Sequence, residues 1–470
     1  MQPIYESIPY VDPQEIFTVF YQRSWSMWLD SSDASQGSAM RSRYSFIAVD
    51  PFDTLICREG RVYFSGEILP DIDIFTALKN SLSKFSLLSI EGLPPLQTGL
   101  VGMWSYDLCH EIEPVPLPSH NDINFPQVAV GLYDLVIAFD HHLKKTWMIS
   151  SGFPYLDDKK RLTHAKQRLL WLKEQLKTFV DLPQRPLISD LDIQSNFDQA
   201  YYKRAVKNAI EYIKAGDIFE VNLSQRFSAV LPKNYDPYAL YLDLRQANHA
   251  PFSAYIHFDQ YTIASASPER FLKLSDRRVE TRPIKGTRPR GNTEAEDKSL
   301  ANELLCSDKD RAENIMIVDL MRNDLSRVCR DDSLRVTQLC AIETFKNVHH
   351  LVSAVEGDLS DNMTAVDLLA HSFPGGSITG APKVRAMQII AEIEQIARGP
   401  YCGSIGYISF HGDMDLSIVI RTFVVHDDLL TFHGGGAIIM DSDPAAEYAE
   451  SCMKVAALRN VLTQSLKVTA

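Results

Sequence analysis

The chain has 470 residues, 45% of them apolar and 23% charged, an ordinary globular composition that excludes a disordered or collagen-like polymer. Its 47 basic and 60 acidic side chains leave a net charge of −13, which argues against general adhesion to nucleic acid or an anionic membrane surface. Seven scattered cysteines without a C-x-x-C pair suggest neither a zinc knuckle nor a disulfide framework, and no apolar run approaches the ~18 residues of a membrane span. A cytoplasmic protein in a reducing compartment is expected. The first 150 or so residues read as strands: SRYSFIAVD, DTLICRE, RVYFSG and VAVGLYDLVIAFD are β-branched or aromatic runs bounded by Gly, Pro or Asp. Leu162, Ala165, Leu169, Leu172 and Leu176 then recur at helical spacing. DLPQRPLISDLDIQSN (181–196) is the linker candidate and divides the chain into regions 1–185 and 186–470. Beyond it Val206, Ala209, Ile210 and Ile213 mark a helix that Gly216 can end. The last hundred residues read as strands YCGSIGYISF, LSIVIRTFVV and LLTFHGGGAII, followed by a helix from Pro444. Hairpin strands with helices segregated beside them predict an α+β fold of largely antiparallel sheets in two associated lobes that exchange strands. Gly99-x-x-Gly102-x-x-Ser105 and Gly403-x-x-Gly406-x-x-Ser409 echo one another and hint at duplicated halves.

The closing helix carries Glu447, Glu450 and Lys454 on one face, with Asp443 as its cap. A second helix, in DKDRAENIMIVDLMRND, spaces Asp310 and Glu313 in the same way. Either pair alone reads as a solvated face, but facing one another the two would suit Mg²⁺, a hard cation that prefers carboxylate oxygens. Arg421 lies within LSIVIRTFVV, where Val419 and Phe423 would share its strand face. A guanidinium among apolar neighbours implies either an internal acid or an acidic ligand. Gly434, Gly435 and Gly436 end the next strand and leave its backbone open to an anion, or make a plain bulge. PGGSITGAPKVRAM lacks the lysine of a P-loop, yet its helix start could hold an anion, with Thr379 adding a hydroxyl. Lys285 stands among Arg282, Arg288 and Arg290, cations that would lower its pKa toward a nucleophilic amine, although a basic loop in solvent is the commoner meaning of such a cluster.

SPERF, TRPIKGT, KDRAENIMIVDLMRNDLSRV, HHLVS, FPGGSITGAPK, CGSIGYISF, IRT and GGGAI, in this order, resemble the chorismate-utilising enzyme family. The resemblance is dense over about residues 197–464 and traceable earlier through WSMWLDS and GLVGMWSYDL. It implies a chorismate-binding catalytic region at 186–470 that requires Mg²⁺. Glu313 and Glu450 match the family's inner metal ligands, and Asp310 and Glu447 the outer, water-mediated ones, with Asp310 standing where a Glu is frequent. Thr379, Gly380, Arg421, Gly434, Gly435, Gly436 and Lys454 match substrate-gripping positions, and His350 matches the active-site histidine. Anthranilate synthases in the family read P-I-A-G-T, whereas Lys285 fills the alanine position here. By resemblance Lys285 attacks C2 of chorismate while Glu269 protonates the departing C4 hydroxyl, and ammonia then adds at C4. The implied product is 4-amino-4-deoxychorismate, a precursor of 4-aminobenzoate and folate. No amidotransferase module is recognisable, so a separate glutamine amidotransferase subunit is expected to supply the ammonia. Ser31, Pro251 and Phe252, with WSMWLDSS, match the region where family members hold tryptophan as a regulator or buried ligand. Asp30 replaces the Glu of the regulatory version, which predicts no feedback inhibition. The alternatives are anthranilate synthase component I, an isochorismate or salicylate synthase adding water at C2, and a silent regulatory subunit.

Overall fold

A computed structural model describes residues 2–32, 42–184, 191–345 and 348–464; the expected division at 185/186 lies outside them. Among the described residues two twelve-stranded sheets form the centre, their strands paired antiparallel. Residues alternate between two apolar layers, which is why the inner strands lack the polar-out pattern of a half-exposed sheet. In strand Val128–Tyr133, Val128, Val130 and Leu132 face the helices outside one sheet, while Ala129 and Tyr133 face the opposite sheet. Leu135, Ile137 and Phe139 point to the outer layer of the other sheet, and Val136 and Ala138 point inward. The result is the expected α+β fold, with helices outside two antiparallel sheets packed face to face. No described helix is long and apolar enough to cross a membrane.

Both sheets take strands from both halves of the chain. In the first, Ser26–Asp30 pairs with Phe252–Phe258; in the second, Gly99–Trp104 pairs with Ser404–Ser409. The two glycine echoes meet at that second seam, where Gly102 lies opposite Gly406. A Cβ on Gly102 would overlap the carbonyl oxygen of Ala129, and one on Gly406 the carbonyl of Asp415. Each half also visits the sheets in the same order: an edge strand and a hairpin in the first sheet, strands in the second, then a return hairpin. The glycines therefore mark an internal two-fold relation, with close strand approach as their physical reason.

The linker is flanked by the two expected helices. Asp157 caps Asp158–Gln175 and Asp198 caps Gln199–Lys214, and Gly216 follows the second with a φ of +82°. The first helix buries Ala165, Leu169 and Leu172 as expected, but in its first turn Arg161 faces inward and Leu162 is 45% exposed. LSIVIRTFVV is not one strand. Met414–Ile418 belongs to the second sheet and Thr422–His426 to the first, so the chain crosses between sheets at 419–421. Arg421 has a φ of +52°, Val419 sits between the sheets, and Phe423 lies in the outer core. Val419 and Phe423 thus share no face with Arg421, because a single straight strand cannot serve both sheets. The three glycines are likewise inside a strand, Leu429–Ile438, rather than at its end.

Gly406→Ala should lower unfolding free energy by about 1–3 kcal/mol, since the backbone must part to admit the methyl. Urea denaturation checks this, and an unchanged midpoint would contradict the close approach.

Candidate active site

Lys285 is carried by strand Ile284–Pro289 and is 8% exposed. Its Nζ lies 2.6 Å from Oε1 of Glu220, at the start of strand Glu220–Val230, and Oε2 of Glu220 is buried without a hydrogen-bond partner. The expected lowering of the lysine by arginines is not what the structure contains. Arg282 pairs with Glu343, Arg288 with Glu303 and Asp310, and Arg290 with Asp297, so their charges are spent locally. Burial alone would lower Lys285, but Glu220, Glu313 and Glu269 outweigh it and hold the ammonium above its ordinary range.

Glu269 follows strand Tyr261–Ser267 and is buried. Ser377 Oγ donates to its Oε1 at 2.7 Å, and the backbone N–H of Ile284 reaches the same oxygen at 3.4 Å. Its carboxyl is therefore tied to the residue preceding Lys285. Burial pushes it up to about 7, against the lowering influence of Ser377 and Ile284. A carboxyl of that kind is suited to donating a proton near neutrality.

The two helices with paired carboxylates are Asp308–Ser326 and Pro444–Lys454, and Lys309 joins them, its Nζ 4.0 Å from both Glu313 and Glu447. Burial pushes Glu313 up to about 7 and raises Glu447, whose Oε1 accepts from Ser442 at 2.7 Å. Burial also opposes ionisation of Glu450, but Lys454 at 2.8 Å prevails and holds it below the ordinary range. Asp310 turns toward Arg288 at 3.3 Å and toward Gly286. Among the described residues no three such side chains are gathered closely enough to hold a metal as they stand. The donor set still fits a hard divalent cation: it is all oxygen, and its buried carboxylates are short of positive charge. Rotation of the side chains would have to close the gap.

His350 is buried on strand Val348–Asp358, its Nδ1 2.9 Å from Thr287 Oγ1, two residues beyond Lys285. The Thr379 hydroxyl is turned into its own loop, donating to the Gly375 carbonyl at 3.1 Å. Gly380, with φ of +142°, lies against the Glu220 backbone, whose carbonyl oxygen a Cβ would overlap. Of the three glycines, Gly434 and Gly435 make room for Ser451 and for the Leu223–Ser224 backbone. Only Gly436 faces charge, with its Cβ position 3.3 Å from Glu450 and 3.6 Å from Lys454 Nζ. The Arg421 guanidinium, depressed by burial, makes no hydrogen bond or ion pair to any described residue, as a side chain awaiting an anion would. Away from this site Ser31, Pro251 and Phe252 line one cavity of about 110 Å³ between the sheets. Asp30 beside it is engaged by Arg245 at 2.6 Å and Tyr241 at 3.1 Å.

Sequence reasoning passed over Glu220, Ser377 and Lys309. A lone acid flanked by apolar residues in IFEV was the signal for the first. Arg398 was also missed: buried, it grips Glu394 and the carbonyls of Asn222 and Ile378, bracing the strand of Glu220 against the loop of Ser377.

Buried lysine, proton-bearing carboxyl and unpaired guanidinium are the equipment of an enzyme that handles a small acidic molecule. The chain belongs to the chorismate binding enzyme family, whose model matches residues 26–460. It is 43% identical over 361 residues, 77% of this chain and 76% of the relative, to aminodeoxychorismate synthase component 1 of Escherichia coli strain K12. It is 38% identical over 419 residues, 89% of this chain and 88% of the relative, to anthranilate synthase component 1 of Thermus thermophilus. Among solved structures, anthranilate synthase component I from Streptococcus pneumoniae TIGR4 superposes with a TM-score of 0.78 at 31% identity, covering 89% of this chain and 93% of that one. The menaquinone-specific isochorismate synthase of Escherichia coli shares the fold, with a TM-score of 0.75 at 18% identity over 98% and 94% of the two chains.

The folded protein holds a proton on Glu269 that the unfolded chain releases above pH 4.5. Stability from this site is full below that pH and is lost as pH rises through about 7. In urea titrations with a chelator, Glu269→Gln should therefore lose less stability than wild type between about pH 5 and 8.5, by on the order of 2 kcal/mol. Equal losses would contradict the raised carboxyl.

Proposed function

We propose that this chain is the chorismate-aminating component of an aminodeoxychorismate synthase, converting chorismate and ammonia to 4-amino-4-deoxychorismate for 4-aminobenzoate and folate synthesis. The observation that carries the reading is the buried Lys285 amine beside a second buried carboxyl, Glu269, whose raised pKa keeps a proton available. Several relatives named aminodeoxychorismate synthase component 1 support it, at 38–43% identity over most of the chain. Lys285 attacks C2 of chorismate while Glu269 gives its proton to the C4 hydroxyl, which leaves as water. With C2 occupied, ammonia adds at C4 and expels the lysine, so the lysine sets the regiochemistry. Arg421 receives a substrate carboxylate, and Lys454 Nζ lies 3.6 Å from the Cβ position of Gly436, close to Glu450. Glu313 and Glu450, backed by Asp310 and Glu447, would hold Mg²⁺, which when bound neutralises the ring carboxylate and makes the ring electrophilic. The "component 1" of the relatives' names supports a second subunit, which we take to be a glutamine amidotransferase delivering ammonia.

Lys285→Ala should cut amination at C4 at least about 10²-fold, and wild type quenched in turnover should carry a substrate-derived mass on the Lys285 peptide. Full turnover by Lys285→Ala, with no adduct in wild type, would contradict the proposal.

A further inference from the structure

A lysine held as ammonium is no nucleophile until its proton goes somewhere. Glu269 is committed to the C4 hydroxyl in the reading above, and its hydrogen bonds run to Ser377 and Ile284 rather than to Lys285 Nζ. Glu313, Glu450 and Glu269 influence Lys285 through space, and Lys454 faces Glu269, but the ion pair of Nζ is made to Glu220 at 2.6 Å. Arg282 and Arg288, on or beside the lysine's own strand, are paired elsewhere. Glu220 is 1% exposed, its second oxygen has no partner, and its backbone is clamped against Gly380. A purely structural ion pair would gain from satisfying both oxygens; this one leaves the second carboxylate oxygen buried and without a hydrogen-bond partner among the described residues.

We propose that Glu220 is a further catalytic residue, the base that takes the proton from Lys285 and later returns it. The inference rests on Lys285 being the nucleophile. The Lys285 ammonium passes one proton to Glu220 Oε1, leaving a neutral amine and a neutral acid. The nitrogen lone pair forms the N–C2 bond, the ring double bonds shift, and the C4–O bond breaks as Glu269 protonates the oxygen, releasing water. Ammonia then forms the bond at C4, the double bonds shift back, and the N–C2 bond breaks to give the neutral lysine, which recovers its proton from Glu220. The C4 ammonium returns a proton to the Glu269 carboxylate. Glu220 takes up one proton and returns it, and Glu269 gives one up and regains it, so chorismate and ammonia give product and water with the protein unchanged.

An internal transfer does not draw on bulk solvent, which separates this role from a structural one. The measurement is the rate of Lys285 adduct formation in single turnovers of the full chain with chorismate and Mg²⁺, quenched and read by mass spectrometry, between about pH 6 and 9. Wild type should slow above about pH 7 only as Glu269 loses its proton, with no further dependence from Lys285, because that proton moves inside the pair. Relative to wild type at each pH, Glu220→Gln should be about 10²-fold slower near neutrality and recover as pH rises, because solvent must then remove the lysine proton. Glu220→Asp, which keeps a carboxylate and serves if the glutamine variant does not fold, should be slower than wild type by a factor that does not change with pH. A glutamine variant whose rate relative to wild type did not change with pH would overturn the proposal, as would an aspartate variant whose relative rate rose with pH. Absence of any adduct in wild type would instead remove the nucleophile reading itself, a distinct failure.

Discussion

Burying an ammonium is the constraint around which this molecule is built. Out of water, Lys285 cannot stay charged without an anion in contact, and Glu220 supplies one across 2.6 Å from a different strand. That requirement reaches outward. The Glu220 strand must approach the SITGAP loop closely enough that position 380 cannot carry a side chain, and Arg398 with Glu394 ties the same strand to the same loop. Ser377, on that loop, reaches Glu269, and Glu269 in turn meets the backbone just ahead of Lys285. The circuit closes on itself, so the spacing of Lys285 and Glu269 is set by backbone packing rather than by flexible side chains.

The surrounding charges extend the same logic. Buried carboxylates on two helices share one half-exposed lysine, Lys309, and two of them are pushed toward their neutral forms. Such a site is under-supplied with positive charge, and the unpaired guanidinium of Arg421 is under-supplied with negative charge. A cation would satisfy the carboxylates, and an anionic group would satisfy the arginine.

Much of this was legible in the sequence because it rests on local rules. Caps, helical periodicity and alternating strands placed most elements, and the i, i+3 spacing of Asp310 with Glu313 and of Glu447 with Glu450 identified the acidic faces. The glycine echo proved to mark the seam between internally related halves. What escaped was set by long-range packing. Arg421 looked like a strand residue because the apolar run around it is continuous, yet that run crosses from one sheet to the other. The arginines near Lys285 looked like a field acting on it, but their acids come from distant segments that linear reading does not bring together. Glu220 stood out as a lone acid, but its role did not, for the same reason: its partner lies 65 positions along the chain.

Central to the account is that the lysine at C2 directs ammonia to C4. Product identification tests this most directly: purified chain, chorismate, Mg²⁺ and an ammonium salt, resolved by chromatography and mass spectrometry with and without an aminodeoxychorismate lyase. The account predicts a peak of 4-amino-4-deoxychorismate that the lyase converts to 4-aminobenzoate. Anthranilate or isochorismate in its place would contradict it.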